Sequence, residues 1–178
     1  MKKGFFKNIF VLLLAALILM GLSYGLRDMA QSNADAVELA VMQALVPGSE
    51  AFVDEPYTGE DANVRAVYKS GTGFVVETAT HGYVDEIVML VGVSNDGEVT
   101  GLVVKDMHET YGLGGNALTD WQFLGQFLYG SGDAEISGNV DALTGATVTS
   151  KAVARCVNSA VAVVTGADAE SSATSWGG

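Results

Sequence analysis

The longest apolar run of the chain lies at its start. Residues 8–26 read NIFVLLLAALILMGLSYGL, without a charged side chain, between Lys7 and Arg27. At about 1.5 Å of rise per residue, such a helix crosses a hydrocarbon core of roughly 30 Å. A cleaved signal peptide has a shorter apolar stretch followed by small residues. Tyr24, Leu26, Arg27, Asp28 and Met29 make a poor cleavage site, and no cysteine directly follows the run to take a lipid anchor. The pattern therefore predicts an uncleaved transmembrane helix over residues 8–26. Lys2, Lys3 and Lys7 hold residues 1–7 on the cytoplasmic side by the positive-inside bias, which places the rest of the chain outside.

Beyond the span, residues 28–35 are polar and suit a short linker. Residues 34–46 set Val37, Ala40, Val41, Ala44 and Leu45 on one helical face before Pro47-Gly48 stops it. Linker and helix together make a juxtamembrane region over residues 27–47, and the domain proper is expected over 48–166. Its first part is β-rich. Residues 64–69 and 73–80 flank the turn Ser70-Gly71-Thr72, and residues 86–93 and 98–105 flank Ser94-Asn95-Asp96-Gly97. These segments predict about four antiparallel strands with one face covered, the second and third joined through His81-Gly82-Tyr83. A glycine-rich loop follows at residues 110–115. Residues 116–129 then place Leu118, Trp121, Phe123 or Leu124, and Phe127 or Leu128 at helical spacing, a core pattern rather than a cofactor box. Residues 148–165 form the strongest helical pattern, burying Ala152, Val153, Val157, Ala160, Val161 and Val164 and ending at Gly166. Residues 167–178 are small and polar and read as a flexible tail. The expected fold is α+β: a twisted antiparallel sheet with packed helices, tethered by one N-terminal transmembrane helix.

Composition narrows the function. A chain of 178 residues supports one domain with a real core. All 21 acidic residues follow Arg27, together with only five of the nine basic ones. A surface so anionic excludes a nucleic-acid partner, because phosphate contacts need Lys and Arg. Cys156 is the single cysteine, so neither an internal disulfide nor a cysteine-held iron–sulfur cluster is available. Its apolar helical surroundings predict a buried packing role. His81 and His108 are the only histidines, and their spacing forms no metal motif. No serine–histidine–aspartate or cysteine–histidine arrangement supports hydrolysis. Redox chemistry would need a cofactor.

One segment has the features of either an ordinary helix cap or an anion site. Residues 141–150 read DALTGATVTS, a tight turn with hydroxyls at Thr144, Thr147, Thr149 and Ser150 that enters a helix. Free N–H groups and the helix dipole favour negative charge there, and Gly145 lets the backbone approach it. A plain hydroxyl N-cap is the ordinary alternative. The pattern D-x-x-T-G-A-T-x-T, however, resembles the flavinylation motif of the FMN-binding domain family, which includes the G subunit of the Rnf complex and the C subunit of sodium-pumping NADH:quinone reductase. The resemblance implies FMN joined through its phosphate to Thr147 by a flavin transferase. Asp141, Thr144, Gly145 and Ala146 then match the recognition positions. HETYGLG, residues 108–114, resembles the H-x-E-T-P-G-L-G stretch of the Rnf G subunits, with Tyr111 where proline is usual. It implies further FMN contacts from His108, Glu109, Thr110, Gly112, Leu113 and Gly114, alongside Thr144, Gly145, Ala146, Val148 and Thr149. The resemblance covers nearly the whole chain. Its length favours the Rnf-type subunit, an electron carrier among other membrane subunits of a ferredoxin:NAD+ oxidoreductase. A related carrier of the quinone reductase type, a stand-alone carrier, and a non-redox binding module are the alternatives.

Overall fold

The computed structural model describes residues 2–110, 114–117 and 119–167; Tyr111, Gly112, Leu113, Leu118 and residues 168–178 lie outside them. The chain divides into two compact units, Met1–Ala40 and Val41–Gly178. The first is most of helix α1 (Lys2–Leu45). Within it Leu13, Leu17, Ile18, Leu19 and Leu22 are each more than half exposed, and the stretch Leu13–Leu45 is long and apolar enough to cross a membrane. Residues 28–35, expected as a linker, are helical throughout. They contain no Pro or Gly, and Gln31 Nε2 donates to Asp35 Oδ1 one turn on at 2.9 Å.

The second unit is built on a five-stranded antiparallel meander in the order β1 (Val53–Glu55), β2 (Val64–Lys69), β3 (Gly73–His81), β4 (Glu86–Ser94) and β5 (Val99–Met107). The four longer strands follow the two expected hairpins closely. β1 is an addition, with only three residues, all exposed, and thus no readable alternation. Helix α4 (Thr147–Thr165) lies on one face of the sheet. Its Val153, Cys156, Val157, Ala160 and Val161 pack in one core with Val76, Ile87, Met89 and Val91. Each such fully buried valine contributes about 1.5–3 kcal/mol relative to an exposed one, an upper range because the unfolded chain already hides some surface. Thr80 Oγ1 donates to Ala152 O at 3.0 Å and fixes the height of α4 on β3. The outer flank of α4 is covered by residues 134–140, where Asn158 binds both the N–H and the carbonyl of Ala134 at 3.0 and 2.9 Å. At the C-terminus Gly166 takes the left-handed conformation, φ +69°, and donates to Ala162 O.

The sheet is covered on its other face too. Met42, Leu45 and Val46 cluster with Val75 and Leu90 in a second core. Room for this last turn of α1 comes from the cross-strand pair Gly92 and Gly101. A Cβ on Gly101 would stand 3.1 Å from Leu45 Cα, and one on Gly92 would stand 2.8 Å from Leu45 C. Thr100 Oγ1 closes the contact by donating to Leu45 O at 2.6 Å. Val37, expected on the packing face, is 63% exposed, and Ala44 is exposed as well.

The aromatic segment departs most from expectation. In place of one helix over residues 116–129 there are two short pieces, α2 (Gly114–Ala117) and α3 (Trp121–Gly125). Asp120 restarts the helix, its carboxylate accepting from Gln122 N at 2.9 Å and Phe123 N at 3.2 Å. Phe123 and Phe127 enter the core edge to face, with ring centroids 5.3 Å apart, whereas Trp121 is 76% exposed.

Candidate functional site

Three segments distant in sequence meet at the N-terminal end of α4. The turn between β3 and β4 is closed by Gly82 N donating to Asp85 O at 2.8 Å. The chain leaving β5 brings Glu109 and Thr110, and α2 begins at Gly114. The third segment, residues 143–150, turns sharply at Gly145, whose φ of +77° a β-carbon disfavours. Ala146 N donates to Leu143 O at 2.9 Å, while Ser150 Oγ donates to Ala146 O and accepts from Leu143 N. Ser150 is thus a buried internal brace.

Together these segments bound a cleft of about 350 Å³ lined by Tyr83, Glu109, Thr110, Gly114, Ala146, Thr147, Val148, Thr149 and Gly145. That volume lies within the range of small-ligand sites, and the mixture of apolar wall and few polar groups is typical of them. Glu109 ties the walls together. Its Oε1 accepts from Val84 N at 3.0 Å and Asp85 N at 3.4 Å, and its Oε2 accepts from the Thr149 hydroxyl at 2.8 Å. Thr149 is accordingly buried, whereas Thr147 is exposed.

The helix terminus itself is electrostatically incomplete. Ala146 occupies the N-cap position, so no side chain caps α4, and its first turn holds no acidic residue. The hydroxyl cap that would make the turn merely structural is therefore missing. First-turn N–H groups and the positive end of the dipole face the cleft, where the Glu109 carboxylate among the lining residues takes the Thr149 hydroxyl. Lys151 and Arg155 follow Thr147 at four-residue spacing and share its face. Among the described residues no group of three or more His, Cys, Asp and Glu side chains is placed to hold a metal ion.

The model of the FMN-binding domain matches residues 82–162, from the Tyr83 turn through most of α4. The G subunit of the ion-translocating oxidoreductase complex of Methanosarcina acetivorans is 35% identical over 136 residues, covering 67% of this chain and 71% of that protein. The chain belongs to the family of G subunits of ion-translocating oxidoreductase complexes. The G subunit of the Na(+)-translocating ferredoxin:NAD(+) oxidoreductase complex of Acetobacterium woodii is 38% identical over 100 residues, 51% of this chain and 48% of that one. Its counterpart in the proton-translocating ferredoxin:NAD(+) oxidoreductase complex of Clostridium ljungdahlii is 41% identical over 99 residues, 52% and 53% of the two chains. The chain spans about half the length of these last two relatives.

Within this G-type subunit, the cleft assembles Glu109, Thr110, Gly114, Gly145, Ala146, Thr147, Val148 and Thr149 from the residues singled out by sequence. His108 and Thr144 are exposed and do not line it. Gly112 and Leu113 lie outside the described residues. Asp141 sits apart, its side chain exposed and its backbone held by Gln126. Tyr83 is the lining residue that sequence reasoning misses, although Gly82-Tyr83 stands in the turn between two well-marked strands.

Proposed function

We propose that this subunit is an electron carrier with FMN esterified to Thr147, working in a membrane-bound, ion-translocating ferredoxin:NAD+ oxidoreductase complex. One observation carries the reading: an exposed Thr147 hydroxyl at a helix N-terminus that no side chain caps, opening on a cleft of about 350 Å³. The FMN-binding domain match, which spans every lining residue, supports the choice of cofactor. The donor set also suits that group. A phosphoester needs a reachable hydroxyl, and the remaining phosphate charge complements the bare N–H groups of the first turn. Lys151, one turn along the same face, adds positive charge.

FMN, when bound, supplies the one- and two-electron redox chemistry that the side chains of this protein lack. The chain's own residues hold and shield it. Thr147 retains it covalently, and Gly145 keeps the approach to the helix terminus free of a side chain. Tyr83 and Val148 offer apolar surface to the ring, with Thr110 a polar partner at its edge. Gly112, Leu113 and His108 are further contacts that the resemblance implies. Glu109 and Thr149 are bonded to one another and frame the site. Asp141, Thr144, Gly145 and Ala146 are the positions recognised by a flavin transferase during maturation.

Helix α1 anchors the subunit through residues 8–26, with Lys2, Lys3 and Lys7 on the cytoplasmic side and the domain outside. Covalent attachment has a physical purpose in that location. No FMN pool replenishes a lost cofactor there, and an ester does not dissociate. The other membrane subunits of the complex are the electron partners. The test is in-gel flavin fluorescence with intact mass after denaturation, on full-length protein made together with a flavin transferase. A fluorescent band heavier by one FMN is expected. A dark band of unmodified mass overturns the proposal.

A further inference from the structure

We infer that Glu109 is a positioning residue rather than a cofactor ligand: its carboxylate clamps the Tyr83 turn to the first turn of α4 and so holds Tyr83 as the wall facing the flavin. The inference rests on the FMN reading above.

Both oxygens of the carboxylate are engaged by the protein. Oε1 takes two backbone N–H groups of the turn, from Val84 and Asp85, and Oε2 takes the Thr149 hydroxyl. An ionised carboxylate accepts only, and these three donors answer its charge from within the fold. A ligand phosphate or carbonyl oxygen placed on Glu109 would meet another acceptor.

Packing supports the same assignment. A Cβ on Gly114 would stand 2.6 Å from Glu109 Oε2 and 2.5 Å from Thr149 Oγ1. A Cβ on Gly82 would strike Glu109 Oε1 and stand 2.8 Å from Ile87 Cδ1. The two glycines thus form a slot that admits the carboxylate and little else. The pieces it joins are separated by 25 and 40 residues in sequence, and no other side-chain hydrogen bond among the described residues joins the turn to α4.

The consequence falls on Tyr83. It is 71% exposed, so packing alone does not fix it, yet it lines the cleft beside Thr147. Its neighbour Val84 is held by Glu109 through its backbone N–H. Release of that bond frees the turn to swing away from the cleft. A tyrosine in contact with an excited flavin quenches its fluorescence by electron transfer, which makes the distance measurable without any turnover.

The experiment compares full-length, flavin-loaded wild type with Glu109→Ala, Glu109→Gln, Thr149→Val and Tyr83→Leu in detergent. The readout is flavin emission per bound flavin, native against denatured. Wild type should be strongly quenched and Tyr83→Leu several-fold brighter. Glu109→Ala should approach Tyr83→Leu. Glu109→Gln should stay nearer wild type, since its amide oxygen still accepts from the turn, and Thr149→Val should brighten partway. Loaded Glu109→Ala as dim as wild type overturns the inference, as does a wild type no dimmer than Tyr83→Leu. Absence of flavin from wild type would instead sink the underlying FMN reading. Should Glu109→Ala fail to fold, amide exchange in wild type decides: protected Val84 and Asp85 amides support the clamp, and unprotected ones refute it.

Discussion

Gln126 holds Asp141 by its backbone alone. Asp141 N donates to Gln126 Oε1 at 2.8 Å, and Gln126 Nε2 donates back to Asp141 O at 3.3 Å. This two-bond brace fixes the point where the chain enters the TGAT turn while leaving the Asp141 carboxylate exposed. A side chain so presented is available to another protein, in keeping with recognition by a flavin transferase. Asp141→Asn should therefore leave stability within about 0.5 kcal/mol, the range of surface substitutions, while lowering the extent of flavin attachment. Gln126→Ala should cost about 1–2 kcal/mol by removing two hydrogen bonds. Denaturant melts paired with a time course of FMN incorporation separate the two effects. Normal loading of Asp141→Asn would show that the carboxylate is not read.

Thr147 makes no hydrogen bond from its side chain among the described residues, and it is exposed at the first position of α4. Its hydroxyl is thus dispensable to the fold. Thr147→Ala should abolish denaturation-resistant flavin with a change in stability below about 0.5 kcal/mol. Thr147→Ser keeps a hydroxyl at the same place and should retain attachment, at a lower rate because serine loses more rotamer freedom at the helix start. Covalent flavin surviving in Thr147→Ala, by intact mass, would move the attachment site elsewhere.

What was legible in the sequence followed from local signals. The turns Ser70-Gly71-Thr72 and Asn95-Asp96-Gly97 bracket strands whose ends fall within a residue or two of expectation, and Gly97 indeed has a φ of +86°. The α4 pattern revealed its buried face and its Gly166 stop for the same reason. Relations between distant segments were not legible. The cover on the second face depends on Gly92 meeting Gly101 in register beneath Leu45, which no single segment reveals. Asp120 broke the aromatic helix because a capping carboxylate outweighed continuous apolar spacing. At the site, the bonds of Glu109 to Val84, Asp85 and Thr149 are hidden because these partners lie far away in sequence, and Tyr83 carries no periodicity in its turn. TGAT is visible as a motif, but its missing cap becomes apparent only in the backbone.

Asn158 is a buried structural determinant outside the cleft. Only 5% exposed, its amide satisfies both backbone groups of Ala134 and thereby pins the 134–140 segment over α4. Asn158→Ala leaves a buried N–H and a carbonyl without partners, each at about 1–3 kcal/mol. A loss of about 2–5 kcal/mol in denaturant unfolding is expected, with a lowered midpoint and an unchanged slope. Asn158→Asp should be worse than Asn158→Ser, because a carboxylate can accept from Ala134 N but has no donor for its carbonyl. Equal stability of Asn158→Ala and wild type would mean that the segment is held by Ile136 and Val140 alone.

Cys156 supplies a pH test of the core. Burial raises its pKa above the ordinary 9.0, outweighing the opposite pull of the Thr80 and Thr78 hydroxyls and of Arg155. The thiol lies among apolar residues with Thr80 Oγ1 at 3.4 Å, and Thr80 gives its own hydrogen to Ala152 O. In the unfolded chain the thiol loses its proton from about pH 9, whereas the folded chain keeps it to higher pH. Unfolding then releases a proton, so this group's contribution to stability is complete below the unfolded pKa and declines above it. The stability margin of wild type over Cys156→Ala should be constant up to about pH 8 and shrink beyond about pH 9. Comparing the two proteins cancels the lysine and tyrosine titrations they share. The same burial predicts that maleimide leaves the native thiol untouched at neutral pH and labels it only at the rate of unfolding. Rapid labelling of the folded protein, together with a margin independent of pH, would place Cys156 at the surface rather than beneath β3 and β4.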